Sequence, residues 1–273
     1  MEFSFRLSNG LMLRGKINSP GEDLKAGVIL VHGLGEHIGR YDELVGKLSM
    51  VNIAFMAVDL PGHGKSDGKR GCISNFGPIH EMIDTLSAEF RKTFPGKPLF
   101  LYGHSLGGGM ALEYLASTKS AFTGAVVTSP WVKLSFEPAK FKVALASVMK
   151  NILPSLVQPS GLVVNHISHD ASVVEKYCRD PLVHDKISVS LFHSAMSAGN
   201  FILSNAGSIS IPVLIMHGAG DMITSPAGSR EVAAMSDKFH LKIWEGGYHE
   251  LHNETFRDEV YRYITDWLTG HII

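Results

Sequence analysis

The stretch PLFLYGHSLGGGMAL, Pro98 to Leu112, decides how the rest of this chain is read. Its apolar run Leu99, Phe100, Leu101, Tyr102 has the length and composition of a buried strand. That run meets Gly103-His104-Ser105-Leu106-Gly107 directly, and a helix-like segment with two further glycines, Gly108 and Gly109, follows. G-x-S-x-G gains its meaning from this strand, turn, helix setting. A serine on so tight a turn sits in a strained backbone conformation, and side chains at the flanking positions would collide with the neighbouring strand and helix. Ser105 is thereby held at the carboxyl end of a sheet as a nucleophile. The motif alone also fits a plain glycine-rich turn, so it gains force only if other segments agree.

Outward from this point strands and helices alternate. Upstream, Ala26 to Val31 and Ile53 to Val58 are continuous apolar runs, as parallel strands covered on both faces should be, and Tyr41, Leu44, Val45 and Leu48 recur between them at helical spacing. A helix with Ile79, Met82, Ile83, Leu86 and Phe90, opened by Pro78, leads into the serine strand. Downstream come strands at Gly124 to Thr128, Val213 to Met216 and Leu241 to Trp244, a short helix near Arg230 to Met235, and a last helix carrying Phe256, Val260, Ile264, Trp267 and Leu268. At the amino terminus Phe3, Phe5, Leu7, Leu11 and Leu13 alternate around Ser8-Asn9-Gly10, a hairpin signal with glycine where positive φ is needed. The pattern predicts an α/β fold with a mostly parallel, eight-stranded sheet and helices on both faces.

From about Pro130 to Ser208 the alternation stops. Phe141, Val143, Leu145, Val148, Met149, Ile152, Leu156 and Val157 suggest amphipathic helices separated by Pro154 and Pro159. We expect a helical cap, residues 131–208, inserted after the sixth strand and folded over the carboxyl edge of the sheet, between core parts 1–130 and 209–273. Ordinary packing helices fit the same residues.

Composition narrows the class further. The chain has 273 residues, 45% hydrophobic and 19% charged, enough for one large core. A net charge of -1 without blocks of like charge gives no field to gather nucleic acid or an anionic membrane, so neither is expected as a constitutive partner. Two cysteines, Cys72 and Cys178, are too few for a disulfide framework, and MEFSFRLSNG has neither a basic nor an apolar leader segment, so a reduced, cytoplasmic enzyme is expected. Charged residues, glycines or prolines interrupt every apolar stretch before it reaches the roughly 20 residues that cross a bilayer.

A serine hydroxyl is a weak nucleophile at neutral pH, so it needs a base, an acid that orients the base, and donors for the developing oxyanion. On this fold the chain order is nucleophile, acid, histidine. The strand Val213 to Met216 ends in His217-Gly218-Ala219-Gly220-Asp221, which places Asp221 on a loop at a strand's carboxyl end, where active sites of open sheets gather. Asp180 and Asp185 fall in the cap, and Asp59 precedes the nucleophile, so Asp221 is the preferred acid. The strand ending at Trp244 runs into Glu245-Gly246-Gly247-Tyr248-His249-Glu250-Leu251-His252, where His249 is the preferred base and His252 the runner-up. For the oxyanion, Leu106 N–H opens the helix behind the nucleophile with the helix dipole assisting, and Leu34 N–H comes from His32-Gly33-Leu34-Gly35 after Val31. Asp59-Leu60-Pro61-Gly62-His63-Gly64-Lys65-Ser66 is read as structural. Metal chemistry is disfavoured: His249 and His252 stand three apart where H-E-x-x-H needs four, and His166 and His169 have no nearby third ligand. Cys178 in the cap could be a modifiable thiol, but ordinary burial is the expected reading for a single cysteine.

With these residues in hand, the chain resembles the monoacylglycerol lipase group of the α/β-hydrolase superfamily. The resemblance spans nearly the whole chain and is most specific in HGLGEHIGRY (32 to 41), DLPGHGKSDGKRG (59 to 71), GHSLGG (103 to 108) and GGYHELH (246 to 252), and least in the cap. It implies the triad Ser105, Asp221 and His249, in agreement with strand order. It also implies that Glu36, Arg40 and His252 contact glycerol; Glu36 and Arg40 could instead form an ion pair that braces their loop. The expected activity is hydrolysis of monoacylglycerol to fatty acid and glycerol through an acyl-serine intermediate, without metal or cofactor, the cap offering an apolar tunnel and a transient contact with lipid surfaces. Lysophospholipase or another carboxylesterase or thioesterase with the same triad is the alternative. A non-catalytic binding module would show a damaged triad, and relatives with an aspartate nucleophile are excluded by serine at position 105.

Overall fold

A computed structural model describes residues 1–21, 23–119, 121–136, 147–150 and 152–272. Ten strands are assigned: β1 (Glu2–Arg6), β2 (Met12–Asn18), β3 (Ala26–Val31), β4 (Ile53–Val58), β5 (Leu99–His104), β6 (Gly124–Thr128), β7 (Val157–Pro159), β8 (Lys186–Ser188), β9 (Val213–Gly218) and β10 (Phe239–Trp244). The longer helices are α1 (Asp42–Met50), α2 (Gly77–Thr93), α3 (Leu106–Ser117), α4 (Ala171–Arg179), α5 (Val189–Asn205), α6 (Pro226–Ala233) and α7 (Arg257–Gly270). Eight strands form one sheet in the order β1-β2-β4-β3-β5-β6-β9-β10. β1 and β2 are an antiparallel hairpin, Gly10 turning it with φ 89°, and β2 runs antiparallel to β4; the remaining neighbours are parallel.

The continuous apolar runs are explained by burial on two faces. On β3, Ile29 and Val31 enter the cluster built with α2, α3 and α5, while Val28 and Leu30 enter the cluster built with α1 and α7. β5 divides its side chains the same way, Leu99 and Leu101 to one face, Phe100 and Tyr102 to the other. Truncating any of these fully buried side chains to alanine leaves a cavity costing about 2–5 kcal/mol. That rigidity matters at the carboxyl ends of β3, β5, β9 and β10, which meet on one edge through parallel registers such as Val31↔Gly103 and Trp244↔Gly218.

Two findings refine the expected insertion. β7 and β8 pair antiparallel within it, each only three residues long and so too short to leave an alternation in the sequence. Helix α5 also belongs to the main core: Leu191, Ala195, Ala198 and Ile202 pack with Met110, Ala111 and Leu115 of α3. Packing therefore joins α5 to the sheet's helical layer, ahead of the boundary at 208 drawn from sequence, because its small residues allow close approach; a Cβ at Gly199 would run into the Val132 carbonyl. Phe141, Val143 and Leu145 lie outside the described residues.

Candidate active site

Ser105 stands between β5 and α3 with φ 54° and ψ −118°, a conformation that side-chain-bearing residues rarely adopt. Hydrogen bonds hold it there: Ser105 N donates to Thr128 O at 2.9 Å, and Ser105 O accepts from Gly109 N at 3.0 Å and Trp131 N at 2.9 Å. Glycine is required at position 107 because a Cβ there would overlap the carbonyls of Val31 and His32. The strained turn and the β3 loop are thus pressed together.

His249 reaches this serine from the loop after β10. Its Nε2 lies 2.8 Å from Ser105 Oγ and its Nδ1 lies 2.7 Å from Asp221 Oδ2. A carboxylate only accepts, so Nδ1 carries the proton and Nε2 is left to accept from the serine hydroxyl. Asp221 is oriented from its own loop, Oδ1 accepting from Ile223 N at 2.8 Å and Thr224 N at 3.0 Å, and Oδ2 from Thr224 Oγ1 at 3.0 Å. Burial alone would raise the Asp221 pKa, but the charge of His249 and hydrogen bonds from His217 and His249 outweigh it and hold the carboxyl well below the usual carboxylate range. Burial would likewise lower His249, and the Asp221 charge and hydrogen bond reverse that, leaving the imidazole more basic than an ordinary histidine. Ser129 fixes the same loop by donating Oγ–H to the His249 carbonyl at 2.7 Å.

The runner-up residues are placed elsewhere. Asp59 accepts from the amides of Ile38 and Lys65, Asp180 pairs with His37, and the Asp185 carbonyl accepts from Ser160 N. His252 is fully buried, its ring stacked 4.9 Å from that of Tyr41 and edge-on to His104. His169 stacks on Tyr248 and meets the buried Glu254 through Nδ1 at 3.0 Å. Among the described residues no three His, Cys, Asp or Glu side chains gather as a metal cluster.

The expected oxyanion donors are Leu106, next after Ser105, and Leu34, next after Gly33, where an added Cβ would stand 3.3 Å from Ser105 Cβ. Leu106 opens α3, and Leu34 lies on the loop after β3; neither amide donates to another protein group among the described residues. The amide beside Leu34 is already used, Gly33 N donating to Glu36 Oε1 at 2.6 Å. Glu36 is buried and also accepts from Tyr41 OH at 2.7 Å and Arg40 Nη1 at 3.0 Å. Arg40 in turn holds Glu250, whose carboxyl it keeps down at about 2 although burial opposes this, and stacks its guanidinium over the Tyr177 ring at 4.7 Å. Sequence reasoning assigned no role to Glu250, Ser129, Thr224 or His217, although Glu250 and His217 stood in motifs that had been singled out.

The sheet order, the strained serine and the imidazole between hydroxyl and carboxylate define the class: this is a serine hydrolase with the α/β-hydrolase fold. A family model described as serine aminopeptidase, S33, matches residues 22–256. Over 99% of its length the chain is 30% identical to a monoacylglycerol lipase of Mycolicibacterium smegmatis, of which it covers 98%. The crystal structure of Paleococcus ferrophilus monoacylglycerol lipase superposes with a TM-score of 0.86 at 35% identity, over 94% of this chain and 99% of that one. An abhydrolase domain-containing protein of Dictyostelium discoideum is 33% identical over 90% of the chain, which spans 26% of that longer protein. The chain belongs to the serine aminopeptidase S33 family and, within the α/β hydrolases, to the monoacylglycerol lipase group; it is a serine ester hydrolase.

Proposed function

We propose that this hydrolase cleaves monoacylglycerol to fatty acid and glycerol through an acyl-serine intermediate. The observation that carries the chemistry is the unbroken hydrogen-bond path from Ser105 Oγ through His249 to Asp221. In this reading Ser105 Oγ attacks the ester carbonyl as His249 Nε2 takes its proton, and Leu34 N–H and Leu106 N–H receive the oxyanion. His249 then returns the proton to the departing glycerol oxygen. Water, deprotonated by the same nitrogen, releases the fatty acid and restores Ser105.

The substrate assignment is supported by the relatives named monoacylglycerol lipase and by apolar side chains left exposed in the insertion and at its edge, among them Phe136, Val148, Ile152, Leu153 and Leu156. These would meet an acyl chain or touch a lipid surface as the cap; among the described residues no helix is long and apolar enough to cross a membrane. Cys72 and Cys178 are unpaired, as a reducing cytoplasmic setting would allow; Cys178 is exposed on α4 and not buried as expected, because it lies on the outer side of a short surface helix. On the leaving-group side, Glu36 and Arg40 are committed to each other and to Glu250, so they serve glycerol by bracing the loop of Leu34. His252 has neither ring nitrogen hydrogen-bonded within the described protein, which leaves it free to bind a glycerol hydroxyl.

A hydrolysis panel tests the reading. Monoacylglycerol, lysophospholipid and thioester of one chain length are compared, with a fluorophosphonate probe to mark the nucleophile. Preference for the glycerol ester and labelling lost in Ser105→Ala are expected. Labelling at another serine would reject the nucleophile, and a faster lysophospholipid would move the substrate class.

A further inference from the structure

The motif closing β9 contains a histidine that the proposed mechanism does not use. His217 is fully buried, and its Nε2 lies 3.1 Å from Asp221 Oδ2, 3.1 Å from the Thr224 carbonyl and 3.4 Å from Thr224 Oγ1. Its Nδ1 lies 2.7 Å from Ser229 Oγ, which α6 supplies. Carboxylate and carbonyl oxygens only accept, so Nε2 carries a proton shared between Asp221 and Thr224. Thr224 Oγ1 has a single hydrogen and is also 3.0 Å from the Ser129 carbonyl, so it serves Asp221 only part of the time. His217 is then the side chain other than His249 whose donated proton faces Oδ2 and the adjoining turn alone.

We propose that His217 is a positioning residue for the orienting acid: clamped by Ser229, its Nε2–H fixes the plane of the Asp221 carboxylate and shares the charge on Oδ2. The inference rests on reading Ser105, His249 and Asp221 as a triad. Two consequences follow from the geometry. The Oδ2 lone pair is aimed at His249 Nδ1, so loss of His217 lowers turnover without touching substrate. The carboxylate is also made a weaker partner than it would be alone, so loss of His217 makes His249 more basic. The other groups facing His249 are the His104 ring at 5.0 Å, Glu250, Glu36 and, beyond His104, His252; none of them is hydrogen-bonded to His217.

The test measures kcat, KM and the pH dependence of kcat/KM on a p-nitrophenyl ester, per site titrated with a fluorophosphonate. For His217→Leu, kcat should fall about 10- to 100-fold, with KM unchanged within about twofold, as for a lost hydrogen bond to a charged group acting away from substrate. The acid limb should move to higher pH by about half a unit or more. His217→Gln, whose amide can donate to Oδ2, should regain most of kcat and the original limb. A Leu variant with native kcat and an unmoved limb overturns the proposal, as does a Gln variant as poor as Leu. If the Leu variant fails to fold, Ser229→Ala should move the limb the same way by less, and an unmoved limb there overturns it. Ser105→Ala and Asp221→Asn are run alongside: retained activity in them rejects the triad itself, whereas their inactivity with normal His217 variants rejects only the role of His217.

Discussion

Arg40 closes on Glu250 through two parallel hydrogen bonds, Nη1 to Oε1 at 2.6 Å and Nη2 to Oε2 at 2.7 Å. The residue next to the candidate base is thereby tied to the loop that offers Leu34, so base and oxyanion donor share one support. Glu250 is buried and Arg40 nearly so, and removing one leaves the other charge without compensation.

Arg40→Ala should therefore cost about 3–5 kcal/mol of folding stability, the range for breaking a buried ion pair, because it strands Glu36 and Glu250 together. Urea unfolding measures this. Turnover of the folded variant should drop alike on a monoacylglycerol and on a p-nitrophenyl ester of the same acid. A loss confined to the glycerol ester would restore Arg40 to direct glycerol contact.

His252→Ala should behave in the opposite way. The lost hydrogen bond to a neutral hydroxyl should lower kcat/KM on monoacylglycerol by about 0.5–1.5 kcal/mol. The p-nitrophenyl ester has no hydroxyl to lose and should be hydrolysed at nearly the native rate. Equal losses on the two esters would leave His252 as packing between Tyr41 and His104.

Ser105 holds its strained turn at a cost of about 1–3 kcal/mol, whereas glycine there costs about 0.4–1 kcal/mol in unfolded-chain entropy. Relief exceeds the entropic cost, so Ser105→Gly should unfold at a higher temperature than Ser105→Ala, both being inactive. Calorimetry decides it, and a less stable glycine variant would mean that the turn is relaxed.

Stability should fall with acid before carboxylates protonate. Burial holds His32, His63, His104 and His252 below 6.5 and His184 at about 4. Their folded pKa values are depressed, so between 6.5 and 4 the unfolded chain binds protons that the fold refuses, and stability is lost as pH falls. His249 is raised and acts the other way, giving up its contribution as pH rises through its folded value. With His193 also lowered by partial burial, six groups against one predict a urea midpoint that drops from pH 7 toward pH 5; a flat profile would show that water reaches these rings. For catalysis, His249 must be neutral to accept a proton, so kcat/KM should decline on the acid side below an inflection above 6.5.

The strand ladder was legible because both faces of the sheet are covered, so β3 to β6 read as uninterrupted apolar runs, and the serine turn because glycine is needed for contact at Gly107. Asp221 and His249 could be named from strand order, and the structure brings both to Ser105. Glu250 and Ser129 could not: each acts through a partner remote in sequence, Glu250 with Arg40 and Ser129 with His249, and no spacing rule records that; Thr224 orients Asp221 from three residues away, through a loop geometry that no motif marks. The insertion was the least legible part, since α5 carries the small residues of a packing helix and β7 and β8 are too short to show a period. Glu36 and Arg40 were named with two roles open, and only the contact of Arg40 with both Glu36 and Glu250 favours one.

Segment 166–170 of the insertion does more than border the site. The amides of His249 and Glu250 donate to the His166 and Ile167 carbonyls, and Ser168 Oγ donates to the Asn253 carbonyl. An engineer who exchanged residues 131–208 for the cap of another hydrolase, seeking a new acyl preference, would cut away the backbone rungs on which the candidate base's loop hangs. A workable transplant keeps 164–170 native and replaces only the chain before it, so that specificity can be traded without unseating the base.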